Sequence, residues 1–315
     1  MKPIKWLAYA AAIAFSAAPA LAQDKVALTI GQRGFWDTAV AHLGSEAGIF
    51  KKHNLELDIT YTAGSGETLQ PVVAGRVDIG IAAGTLGTMS QFLRGAPVRI
   101  VGAEATGAAD YWYVKASSPI KSLKDTDGKT LGFSTVGSST NSIVLAFIKE
   151  FNLKAKPLST GNPAATLTAV MTDQVDVGWA APPLGLQQIE EGQIRVIARA
   201  TDATIVRGQT IRVIAANAQS LEKRKPVIER FMRAYREAID YMYSDNPKVF
   251  SDYAKFANIS EARAKRVREE FFPKALMQTT EIKGLDTLMA EGVGFKQIPA
   301  PLTKEQLSEL LQIPK

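Results

Sequence analysis

Short apolar runs that read as buried strands alternate along this chain with apolar residues at helical spacing, and the alternation repeats. Residues 25–31 form the first apolar run. A polar and aromatic turn over 32–37 follows, then a helix with Val40, Leu43, Ala47 and Phe50 on one face. Residues 55–61 make a second strand, and Ala63, Gly64, Ser65 and Gly66 turn the chain into a helix. Next comes Asp78-Ile79-Gly80-Ile81-Ala82-Ala83-Gly84-Thr85-Leu86-Gly87, a buried strand that ends in small residues and opens a new helix. A helix near 90–94 leads to a strand over 98–103.

The same stretch returns 98 positions later as Asp176-Val177-Gly178-Trp179-Ala180-Ala181-Pro182-Pro183-Leu184-Gly185. Without a gap, Thr68, Leu69, Val72 and Val77 fall on Thr166, Leu167, Val170 and Val175. Asn54-Leu55 falls on Asn152-Leu153. Each copy reads as a helix, a polar turn and a strand whose end leaves backbone N–H groups at a helix start, where ligand oxygens bind well. Two equivalent strand ends predict two lobes facing each other across a cleft, because open α/β sheets take ligands beyond the carboxyl ends of their strands.

The second lobe opens with a helical turn over 120–125, and Asp127-Gly128 turns into a strand over 130–133. The octet 134–141 leads into a helix bearing Ile143, Phe147 and Phe151. Residues 194–198 form a strand, 199–208 are irregular, and 210–215 form a strand expected to pair near 111–115. Beyond it, Ile228, Phe231, Tyr235, Ala238, Ile239 and Met242 recur at helical spacing. Ser260 begins another helix, and Thr303 with Gln306 makes a capping box for the last one. The expected organisation is a first lobe over 23–110, a second over 111–209, and a returning strand with helices over 210–315 packing mainly on the first. Crossings fall near 108–111 and 205–209.

Residues 1–22 read as an export signal. Lys2 and Lys5 precede an apolar run, and Ala20-Leu21-Ala22 is a small-x-small cleavage site, so the mature chain is expected to begin at Gln23 in the periplasm. Taking those two lysines from the 37 basic residues leaves 35 against 31 acidic ones, a net charge of +4. This mild, dispersed excess is no nucleic-acid footprint. The chain has no cysteine, which excludes disulfides, thiol catalysis, thiolate metal sites and a lipidated cysteine. His42 and His53 stand apart with no carboxylate spaced to join them, so no metal or cofactor is expected.

The candidate chemistry concentrates in the octet. Ser134, Thr135, Ser138, Ser139, Thr140 and Asn141, with Gly137 among them, sit at a strand-to-helix junction and suit hydrogen bonding to ligand oxygens. A helix N-cap with extra serines explains the same residues.

The export signal, the strand and loop holding Gly31-Gln32, the Gly64-Ser65-Gly66 turn, the twice-used Val-Asp-x-Gly strand and the helical tail together resemble a known family. The chain is similar to the type II periplasmic solute-binding proteins of ABC importers, in the nitrate, sulfonate and taurine group that includes pyrimidine-precursor binders. The resemblance implies two α/β lobes joined by two crossings about a central ligand cleft, a monomer that delivers its ligand to a membrane permease, and no catalysis. It implies ligand contacts at Gln32, Arg33, Phe35 and Trp36, at Gly64, Ser65 and Gly66, and at Ala83, Gly84 and Thr85. Further contacts are implied within 134–141 and at Trp179, Ala180 and Pro182. Because the group's ligands are commonly small anions, Arg33 is the expected bidentate grip, with Arg212 a second candidate that reads more readily as a surface arginine. Trp36 and Trp179 would let the cleft take an aromatic or apolar body. A binding subunit of another transporter or a sensor fits next best. Related folds include a pyrimidine synthase and a deaminase, but both use cysteine in their sites. An effector-binding regulator would need a DNA-reading helix pair, which this sequence lacks.

Overall fold

In a computed structural model of the protein, residues 22–314 are described; the export signal expected over residues 1–22 therefore lies outside the described residues except for Ala22. The chain runs β1 (Asp24–Gly31), α1 (Val40–Glu46), α2 (Ile49–Lys52), β2 (Leu55–Thr62), α3 (Ser65–Val73), β3 (Ile79–Gly84), α4 (Thr85–Leu93) and β4 (Val98–Thr106). It continues through β5 (Tyr111–Lys115), β6 (Thr130–Phe133), α5 (Ser139–Glu150), β7 (Lys156–Ser159), α6 (Pro163–Met171), β8 (Gly178–Ala180), α7 (Leu186–Glu190) and β9 (Ile194–Arg199). Then come β10 (Thr210–Asn217), α8 (Ala218–Lys223), α9 (Lys225–Met242), α10 (Lys248–Ala257), α11 (Glu261–Arg266), α12 (Leu285–Gly294) and α13 (Lys304–Leu310).

The first sheet has the order β2-β1-β3-β10-β4, with β1, β2 and β3 parallel and β10 antiparallel to both its neighbours. In the second lobe β8-β5-β9 form one antiparallel ladder and β6-β7 a parallel pair. The Leu131–Val177 bridge joins the two pieces, with Gly132 N donating to the Val177 carbonyl at 2.8 Å. The combined order β7-β6-β8-β5-β9 therefore has the same plan as the first sheet. In both, the antiparallel fourth strand comes from across a crossing.

This corrects the expected pairing of residues 210–215 with 111–115. All eight residues of β10 are buried between β3 and β4, while β5 lies between β8 and β9. Two crossings placed side by side leave each returning strand to fill the open antiparallel slot of its own lobe.

The repeat holds at atomic detail. Asp78 accepts a hydrogen bond from Ala27 N at 3.2 Å and Asp176 accepts one from Thr130 N at 2.8 Å, so each turn carboxylate satisfies a backbone donor on the neighbouring strand. Thr62 and Thr68 share a hydroxyl bond of 2.7 Å, and so do Thr160 and Thr166. A Cβ on Gly80 would lie 2.8 Å from Val72, and one on Gly178 would lie 2.7 Å from Val170, so both helices need a bare strand to sit down on. Asn54 and Asn152 both adopt the left-handed conformation where a helix ends, a place asparagine tolerates.

The tail builds the outer layer of the first lobe. Along α9, Ile228, Phe231, Tyr235 and Met242 are buried against α1, α2 and the sheet, and the apolar members of that face contribute roughly 1.5–3 kcal/mol each. Ser260 caps α11, and Thr303 with Gln306 forms the capping box of α13. The tail also touches the second lobe, where Arg263 and Arg266 pair with Glu190, and Lys149 with Glu291. Such exposed pairs contribute about 0–1 kcal/mol apiece.

Candidate functional site

The carboxyl ends of β1 and β3 meet the start of α5 and the end of β8 around a cavity of about 20 Å³, room for about one water molecule. Gln32, Phe35 and Thr38 line it from the turn after β1, with Ser65 at the start of α3 and Ala82 on β3. Ser134, Ser139, Thr140 and Trp179 line it from the second lobe, and Asp110 and Arg212 from the roots of the two crossings. A far larger concavity of about 760 Å³ lies beside α8, α9 and the C-terminal segment. It is built from the first lobe and the tail alone, so the convergence of both repeats favours the small interlobe space.

Two non-glycine residues facing this cavity, Gln32 and Ala82, have φ of 64°. The turn after β1 hands the Gln32 side chain to the Ala63 carbonyl, and Ala82 lies where the β3–β10 register shifts. Backbone held in this sparsely populated region concentrates at ligand clamps.

The charged wall is unusual. Arg212, 7% exposed, bonds Asp37 through Nη2, bonds Glu104 through Nε at 3.1 Å, and approaches Asp110 Oδ2 through Nη1 at 3.6 Å. Three buried carboxyl groups thus surround one guanidinium. Burial pushes Glu104 up to about 8, with Asp37 adding to the rise and Arg212 opposing it. Burial also raises Asp110, against the pull of Arg212. For Arg212 burial acts to lower the pKa, but Asp37, Glu104 and Asp110 outweigh it and hold the guanidinium charged.

The sequence-predicted residues divide into three groups. Gln32, Phe35, Ser65, Ser134, Ser139, Thr140, Trp179 and Arg212 line the cavity. A second set forms the seam between the lobes. Gly66 N donates to Thr135 Oγ1 at 3.2 Å, and Ser139 N donates to Ser65 Oγ at 3.3 Å. A methyl group on Gly64 would lie 2.9 Å from Ser134, one on Gly66 would overlap the Val136 carbonyl oxygen, and one on Gly84 would lie 2.6 Å from the Gly137 oxygen. A methyl group on Gly87 would overlap the same oxygen. Ser138 caps α5 by accepting from Asn141 N, and Asn141 in turn accepts from Gly137 N.

The remaining residues lie elsewhere. Trp36 is a core residue rather than a cleft one: it is fully buried among Tyr243, Phe250 and Tyr253, and its Nε1 donates to Tyr243 at 3.0 Å. Arg33 is exposed and stacks on Phe256, with its Cζ 4.5 Å from the ring centre; it is absent from the cavity lining and borders instead a neighbouring groove of about 380 Å³ that takes Gln32 from the first lobe and Asn162 and Leu184 from the second. Arg212 is correspondingly no surface arginine. Ala83, Ala180 and Pro182 lie outside the lining, and Thr85 spends its hydroxyl on the Thr210 carbonyl. Sequence reasoning passed over Gly31, Thr38, Ala82 and Asp110. Ala82 adjoins the expected contact residues 83–85, whereas Asp110 lies in the crossing near 108–111, where no local pattern marks a site residue.

A family profile described as NMT1/THI5 like matches residues 36–248. A putative binding protein of Brucella abortus is 23% identical over 267 residues, covering 83% of this chain and 81% of that protein. The 4-amino-5-hydroxymethyl-2-methylpyrimidine phosphate synthase of Saccharomyces cerevisiae is 22% identical over 229 residues, which are 68% of this chain and 66% of the yeast protein, just under two thirds of its length. Among solved structures, the alkanesulfonate-binding protein SsuA from Xanthomonas axonopodis pv. citri bound to MOPS superposes with a TM-score of 0.74 at 17% identity, covering 91% of this chain and 98% of that one. At such identity the likeness shows the fold, which is that of the periplasmic binding proteins. With the profile spanning more than half of its length, the chain belongs to the NMT1/THI5-like family.

Proposed function

We propose that the chain is the exported solute-binding component of an ABC importer, that the interlobe cavity is its solute site, and that the closed pair of lobes is what a membrane permease recognises. The observation that carries this reading is the convergence of both repeats, each contributing a strand end and a helix start, on one cavity beside the two crossings. Each lobe offers half of a ligand shell, so a solute gains its full contacts only when the lobes approach and it favours that state by differential affinity. The cavity is too small for an organic solute as it stands, and the lobes must part to admit one.

The expected class of small organic anion finds little support in the lining. Arg33 lies outside, and Arg212, the one positively charged lining residue among those described, is already engaged by three carboxyl groups. Several donors of the 134–141 turn are also spent within the protein, since Ser134 N, Gly137 N, Ser139 N and Asn141 N all have side-chain acceptors. Turnover is not part of this reading, because the cavity pairs no nucleophile with a base oriented to activate it.

A thermal-shift screen of organic solutes, with scattering on each hit, tests the proposal. A cognate solute raises the melting temperature by mass action and compacts the particle. A library of amines, amino acids, pyrimidines, carboxylates and sulfonates that leaves the melting temperature untouched contradicts it, and conversion of a hit to product contradicts the non-enzymatic part.

A further inference from the structure

We propose that the solute carries a cationic nitrogen group, an ammonium or amidinium, that seats against the Asp110 carboxylate. This rests on the solute-binding reading above and names the chemistry of the solute. Asp110 is 2% exposed, lines the cavity, and neither of its carboxyl oxygens accepts a hydrogen bond. Its one ion-pair partner among the described residues is Arg212 Nη1, at 3.6 Å, a separation too long for a hydrogen bond. A buried carboxylate in that state is costly unless a donor or a proton reaches it.

The rest of the cluster brings no donor within hydrogen-bond distance of Asp110. Arg212 directs Nε to Glu104 and Nη2 to Asp37, which fixes the plane of its guanidinium and leaves Nη1 at the long distance. One positive charge among three buried carboxyl groups leaves the site short of positive charge whenever more than one of them ionises. A cationic nitrogen would supply both missing quantities, the charge and the N–H donors. The other walls fit such a group, because the hydroxyls of Ser134 and Ser139 can accept from it and the rings of Phe35 and Trp179 border the same space. An anion placed there would meet the Asp110 carboxylate, with several of the nearby backbone donors already used.

The test uses four small probes on the purified protein at matched ionic strength: acetamidinium and methylammonium as chlorides, acetate and methanesulfonate as sodium salts. The expected result is a rise in melting temperature with the two cations that saturates with concentration, and its loss in Asp110→Asn, which keeps the side-chain shape. The selectivity of the parent protein stands as a readout even if the variant folds poorly. Absence of a shift with both cations overturns the assignment, as does a cation shift that survives in a folded Asp110→Asn protein. If acetate or methanesulfonate alone stabilises the protein, the cationic assignment falls while the solute-binding reading stands. If all four probes are silent the assignment again falls, and the solute-binding reading falls with it only when the wider library is silent too.

Discussion

The two lobes share a scaffold and differ at the junctions that face each other. Asp78 and Asp176, Thr68 and Thr166, and Gly80 and Gly178 perform the same structural tasks 98 residues apart, and each task satisfies a backbone group or lets a helix pack closely. Past the strand ends the likeness stops. In the first lobe β3 runs to Gly84 and opens the nine-residue α4, with Ala82 in a left-handed conformation. In the second, β8 is three residues long and a cis Pro182–Pro183 step precedes the short α7. The charges are divided as unevenly: the first lobe and the crossing hold Arg212 with Asp37, Glu104 and Asp110, while the second lobe contributes hydroxyls and Trp179. Where backbone satisfaction dictates the residue, the copies have stayed alike, and where a solute would be met they have parted.

The largest effect should come from the element without a counterpart. Arg212→Leu leaves three buried carboxyl groups with no cation and should destabilise the protein by about 3–5 kcal/mol, measured by urea unfolding. A loss under 1 kcal/mol would mean that the carboxyl groups are already neutral and that the charge asymmetry between the lobes is illusory. A matched pair tests the shared scaffold. Asp78→Ala and Asp176→Ala should each cost about 1.5–3 kcal/mol, because each removes a charged acceptor from a strand N–H. The more exposed Asp176 belongs at the lower end, and a neutral result for either one breaks the equivalence.

Arg33 and Arg212 mark the limit of what could be read beforehand. The repeat, the helix carrying Phe231 and Tyr235, the caps at Ser260 and Thr303 and much of the cavity lining are legible because periodicity and capping are local properties. Whether a side chain in a turn faces a cleft, a core or solvent is not local. Trp36 turns inward because α10 supplies Phe250 and Tyr253, more than 200 positions away, and Arg33 stays outside because Phe256 offers it a ring. Asp110 became visible only when β4 and β10 brought Glu104 and Arg212 beside it. The glycines at 64, 66, 84 and 87 read as turns and helix starts, and only the opposing residues 134–137 reveal why no Cβ fits.

A smaller effect is expected from pH. Glu104, facing Asp37, Asp110, Arg212 and Tyr235, keeps its proton in the folded state up to about pH 8, while the unfolded chain releases it in the ordinary carboxylate range. The folded state therefore binds more protons across that window, and stability from this group falls as pH rises from about 4.5 toward 8. Raised by burial, Asp110 acts in the same direction. Melting temperatures should decline between pH 6 and pH 8.5, and Glu104→Gln should flatten the decline; an unchanged slope in that variant would assign the effect elsewhere. The smallest signal is optical. Trp36 and Trp112 are buried in the cores of their lobes, so a solute-dependent change in fluorescence should come from Trp179 and disappear in Trp179→Phe. A change that persists in this variant would break the assignment.

Closure itself is tested most directly at Gly87. This residue lies inside α4, where alanine favours the helix by about 1 kcal/mol, yet its methyl group would overlap the Gly137 carbonyl of the opposite lobe. The measurement is small-angle scattering of the parent and Gly87→Ala, each with and without the solute that stabilises the parent. The account predicts a folded variant of equal or higher melting temperature that neither compacts with the solute nor binds it with the parent's affinity. A Gly87→Ala protein that compacts and binds as the parent does would contradict closure as the basis of binding.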